Sequence, residues 1–109
     1  IELIDVQTLM PFDIHGIIGK SIQKTNRVVF LDEDVPGGAS AYMMEQVISH
    51  QDVFKYLDAQ PVCITAKHHR SAYGTDGDYF CKPNAEDIFN VVYGILSESQ
   101  PEDFPSINF

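Results

Sequence analysis

The string in this sequence best equipped for chemistry is His68-His69-Arg70, two imidazoles beside a guanidinium. Placed past a strand end, such groups can bind an anionic substrate or pass a proton. They are poor metal ligands, because adjacent side chains diverge and no His-x-x-x-His or Cys-x-x-Cys spacing supports them. We read the string as a surface loop making hydrogen bonds and domain contacts. His68, His69 and Arg70 are therefore candidate contacts for a partner or a substrate entrance.

A second string, Asp32-Glu33-Asp34, offers oxygens that suit a hard divalent ion. Three consecutive strand residues point to alternating faces, however, so they read as a solvated strand end. Gly37-Gly38 follows where a phosphate cradle would lie, since free helix-start amides bind anions. The three carboxylates would repel a phosphate, and no G-x-G-x-x-G or Walker lysine accompanies them. A tight turn with close helix–strand packing is the reading. Cys63 falls mid-strand as a small buried hydrophobe. Cys81 has one neighbouring lysine, Lys82, too little to activate a thiol. Asp76-Gly77-Asp78 lacks the later ligands of a calcium loop and reads as a turn. His15 and His50 read as surface residues on helices. No catalytic, cofactor-binding or metal-binding set emerges.

The elements that must position these residues alternate short apolar runs with helical periods. Residues 2–6 pattern as a strand. Asp13 can cap a helix carrying Ile14, Ile17, Ile18 and Ile22 at helical spacing, with Asn26 as its left-handed stop. Val28 to Leu31 is a continuous apolar run, the pattern of a strand covered on both faces. Ala41, Met44, Val47 and Ile48 form the stripe of a second helix, continued by a turn over Val53 to Leu57. Pro61 opens a third strand, Val62 to Ala66. Residues 67–82 are irregular, with room for a short strand near Tyr79-Phe80. Asn84 caps the last helix, Glu86 and Asp87 load its first turn, and Ile88, Val91, Val92, Ile95 and Leu96 line it. This order predicts an α/β fold: a three-layer α/β/α sandwich on a mostly parallel sheet of about five strands. Functional residues gather beyond the C-terminal strand ends of such sheets, here residues 6–12, 32–38 and 67–75.

Composition narrows the class. In 109 residues, seven Lys and Arg against sixteen Asp and Glu leave a net charge of −9, with 44% apolar residues. That is the profile of one globular domain. The negative field argues against nucleic acid and anionic membranes, and favours a basic partner. No apolar stretch approaches the roughly 20 residues of a membrane span. Two cysteines make no disulfide framework, and the absence of a signal-peptide pattern makes cytoplasm the expected compartment. Ile1 opens the chain inside an apolar run, which we read as a piece of a longer polypeptide.

A longer pattern adds to this. Leu3-Ile4-Asp5-Val6-Gln7-Thr8-Leu9-Met10-Pro11-Phe12-Asp13 resembles the opening of the transketolase C-terminal domain, in the version carried by the β subunit of thiamine-diphosphate-dependent 2-oxo acid dehydrogenases. Lys24-Thr25-Asn26-Arg27 resembles that family's K-T-x-R, and Glu33 and Gly37-Gly38 fall where it has a glutamate and helix-opening glycines. Phe54, Leu57-Asp58-Ala59 and Pro61-Val62 resemble its F-x-x-L-D-A-P-V with Gln60 inserted. Tyr73 and Pro83 also fit. The likeness spans roughly residues 2–97, leaving 98–109 as a polar tail. Gln7 and Tyr42 depart from the pattern, and Lys67 to Ala72 replaces its Asp- and Pro-rich segment.

The resemblance implies the C-terminal assembly domain of the decarboxylating component of a 2-oxo acid dehydrogenase complex, acting on pyruvate or a branched-chain 2-oxo acid. The parent would use thiamine diphosphate and Mg²⁺, none of it bound by this domain alone. The domain would brace a homodimer or heterotetramer and dock the basic subunit-binding module of the acyltransferase core. Phe109 resembles β-subunit ends used for that docking, although Phe104 to Phe109 reads equally as a free tail. Three alternatives stand beside this one: a domain of another thiamine enzyme such as transketolase, a receiver-like Mg²⁺-binding signalling domain using Asp32 to Asp34, or a pure interaction domain.

Overall fold

In a computed structural model of the chain, the described residues are 1–67, 82–105 and 107. His68, His69, Arg70, the expected turn at 76–78, the strand near Tyr79-Phe80 and Phe109 lie outside them. The first helix, α1 (Ile17–Thr25), starts later than Asp13 because Gly16 adopts a left-handed φ of 65° and breaks the helical path there. Asp13 still does the work of a cap from outside. Its Oδ1 accepts from the Ile17 amide and its Oδ2 from the Ile18 amide, both at 2.9 Å, which places a carboxylate at the positive end of the helix. Ile18 and Ile22 face inward, whereas Ile14, outside the helix, is 71% exposed. Asn26 ends α1 with a left-handed φ of 64°, as its residue type predicts. Its amide donates to the Ile22 carbonyl at 2.8 Å and its Nδ2 to the Tyr56 carbonyl at 2.9 Å.

Two apolar runs form parallel strands, β1 (Val29–Leu31) and β2 (Val62–Ile64), in the register Val29–Val62, Phe30–Cys63 and Leu31–Ile64. The crossover between them holds α2 (Ala39–Glu45), which runs into a π-helical turn over Gln46–His50 and then a 3₁₀ turn over Phe54–Tyr56. The inward residues of this helix are Ser40, Met43 and Val47. Met44 and Ile48, expected on the stripe, are only partly buried. The apolar count favoured Met44, but the true inward line passes one residue earlier, through a serine.

Ile18 and Ile22 from α1, Phe30 from β1, Met43, Val47 and Val53 make the core. Ile4, Val6 and Phe12 pack against it from the N-terminal segment. Residues 2–6 do not form a strand. Their alternation is realised as burial, with Ile4 and Val6 inward and Leu3 outward, while Glu2 ties the segment to α1 through Ser21 Oγ and Lys24 Nζ. The last helix, α3 (Ala85–Ser99), opens on the predicted capping box: the Asp87 amide donates to Asn84 Oδ1 and the Asn84 amide to Asp87 Oδ2, each at 3.0 Å. Its stripe is half-buried, and none of its residues is fully buried. Helices flanking parallel strands make this an α/β fold. Two strands lie among the described residues.

Candidate functional site

Parallel pairing brings the C-terminal ends of β1 and β2 side by side, where a sheet of this kind carries its function. The pairing continues past both strands. The Asp32 amide donates to the Ile64 carbonyl at 3.0 Å, and the Ala66 amide to the Asp34 carbonyl at 2.8 Å. Lys82 Nζ lies 3.6 Å from Glu33 Oε2. Ala66 and Lys82 flank the stretch containing His68, His69 and Arg70, so the acidic turn holds a residue on each side of that stretch.

The three acids have separate tasks rather than a shared ion. Glu33 faces Lys82. Asp34 Oδ1 accepts from the Val35 amide at 2.8 Å. Asp32 Oδ2 is buried with no hydrogen-bond partner. Asp32 to Asp34 lie just past the end of β1 in a bend rather than along a strand, so their separation comes from the turn and not from strand alternation. Among the described residues, no group of three His, Cys, Asp or Glu stands close enough to share a metal ion.

The glycine pair serves packing. A Cβ at Gly38 would run into the Asp34 carboxylate, and Gly37 takes a φ of 90°. The Gly38 amide donates to the Val35 carbonyl at 3.0 Å to close the turn. Cys63 is half-buried, with its sulfur 3.9 Å from that of Met44.

The residues after α3 fold back on it. The Phe104 amide donates to the Gln100 carbonyl at 2.9 Å, and Tyr93 Oη donates to the Pro105 carbonyl at 2.6 Å. Phe89 stacks on Tyr93 with centroids 5.4 Å apart, and Phe104 meets Tyr93 edge-on at 5.9 Å. Through Phe104, then, the tail is packed. After Lys82 the sequence carries Glu86, Asp87, Glu98, Glu102 and Asp103 and no Lys, Arg or His.

Two polar linkages escaped sequence reasoning. Gln51 Oε1 accepts from the Gly19 amide and its Nε2 donates to Asp13 Oδ2, both at 2.8 Å, joining α1 to the end of the π turn. Nothing local marks Gln51, because its partners lie over thirty residues away. Glu2 likewise reaches Ser21 and Lys24. The Lys24 hydrogen bond, then that of Ser21, holds the Glu2 carboxyl below its ordinary value.

The family model described as "Transketolase, C-terminal domain" matches residues 1–88. Among curated proteins, the chain is 32% identical over 96 residues to "Pyruvate dehydrogenase E1 component subunit beta" of Mesostigma viride, covering 88% of this chain and 29% of that one. It is 37% identical over 73 residues to "Pyruvate dehydrogenase E1 component subunit beta-3, chloroplastic" of Oryza sativa subsp. japonica, covering 66% and 18%. It is 27% identical over 95 residues to "Pyruvate dehydrogenase E1 component subunit beta" of Rhizobium meliloti (strain 1021), covering 87% and 20%. The chain thus spans less than a third of the length of these relatives. No solved structure matches it significantly. Among the described residues, no helix is long and apolar enough to cross a membrane.

Proposed function

This chain belongs to the transketolase C-terminal domain family, and on that premise we propose that it is the C-terminal assembly domain of the decarboxylating component of a 2-oxo acid dehydrogenase complex. The observation that carries the reading is the agreement among the relatives, each named as a pyruvate dehydrogenase E1 component subunit beta. Pyruvate is accordingly the favoured 2-oxo acid over a branched-chain one. The reading includes a three-layer sandwich of about five strands in the intact parent, with β1 and β2 as two of them.

Thiamine diphosphate and Mg²⁺ would supply the decarboxylation chemistry in the parent. The described residues of this chain do not fit them. The turn where a diphosphate would sit carries three carboxylates, and those acids do not converge on one ion. The domain's own contribution is surface and rigidity: it braces a dimer or heterotetramer and docks the acyltransferase core. A net charge of −9, with the α3-to-tail stretch free of cations, suits a basic docking module, because complementary fields steer and orient association. Phe109 and the His68-His69-Arg70 string remain the proposed contacts. Cytoplasm is the proposed compartment, with the chloroplast its alternative, since one relative's name says chloroplastic.

The test is carbon dioxide release from pyruvate. The isolated 109 residues should release none, while the parent with its partner subunit and cofactors should release it at enzymatic rates. Decarboxylation by the fragment alone would refute the assignment, as would a parent inactive on every 2-oxo acid tried. Capture of the parent by an immobilised acyltransferase subunit-binding module, weakening with added salt, tests the docking role separately.

A further inference from the structure

We draw no further inference here: the strongest candidate, the half-buried apolar face of α3 with its cluster of Phe89, Tyr93 and Phe104 rings, belongs to the docking surface already proposed, and nothing in the structure shows what else covers it.

Discussion

The two ends of this chain are stabilised in opposite ways. Around α1 and the strands, local signals are modest and tertiary packing is dense: Ile22 is 1% exposed, Val47 and Val53 are fully buried, and Gly19 lets Gln51 reach the helix backbone. In α3 the local signals are complete, with a capping box, acids in the first turn and a regular apolar stripe, yet no residue is fully buried. A well-written helix is thus distinct from a well-packed one. Full burial is concentrated between Ile18 and Ala66, whereas the apolar face of α3 is only half-buried.

Trading one aliphatic side chain in each half breaks the comparison most directly. Ile22→Ala should destabilise the chain by about 3 kcal/mol through lost burial and a cavity, whereas Val91→Ala on α3 should cost about 1 kcal/mol or less. Urea midpoints measure both, and equal losses would abolish the distinction. Next in size is Gly19→Ala. A Cβ there would lie 2.5 Å from Gln51 Oε1 and 3.3 Å from Val53 Cγ1. The Gln51 side chain must leave, losing two hydrogen bonds worth about 1 kcal/mol each, against roughly 1 kcal/mol of better helix propensity. A net loss of about 1 kcal/mol is expected, and it should shrink in a Gln51→Ala background. A gain in stability would mean that the clamp between α1 and the π turn contributes nothing.

Asn84→Ala sharpens the comparison from the other side. Losing the cap should cost α3 about 1 kcal/mol, seen as faster amide exchange in its first turn, with little change in exchange of the Phe30 or Ile64 amides. Coupled loss in both regions would show one cooperative unit. The smallest effect is that of pH on the N-terminal segment. Because the Glu2 carboxyl titrates below its ordinary 4.5, its contribution is fully present above that value and is lost as pH falls through the folded-state value. Amide exchange at Ile4 and Val6 should accelerate over that acidic window, and Glu2→Gln should remove the dependence.

These contrasts also explain what the sequence disclosed. Asn26 and Asn84 were legible because a cap is decided within a few residues. β1 and β2 were legible because continuous apolar runs suit a covered parallel pair. Residues 2–6 misled, since alternation reports which side chains are inward and says nothing about whether the backbone pairs with a neighbour. At the strand ends, the acids that the apolar run led one to place on a strand lie in a bend past Leu31, and the space at Gly38 is taken by the Asp34 side chain of the same turn. The sequence had no means of finding Gln51, whose partners are set by how the chain returns on itself. The residues it favoured for contact, His68 to Arg70 and Phe109, fall outside the described structure.

The π-helical turn over Gln46–His50 also bears on how this family can vary in length. A wide turn holds one residue more than the α-helix would over the same rise, so deleting a residue there would cost little locally. Deleting it restores an α-helical turn and leaves everything downstream in phase, whereas a deletion within Ala39–Glu45 would rotate the downstream residues by about 100° relative to the start of α2. Gln51 would then swing away from Gly19 and Asp13, and Val53 out of the core, with Asn26 losing its hold on the Tyr56 carbonyl. The surplus residue therefore acts as slack in the crossover. Homologues should lose one residue within Gln46–His50 without losing the Gln51 clamp, while keeping constant the count from Ala39 to Glu45.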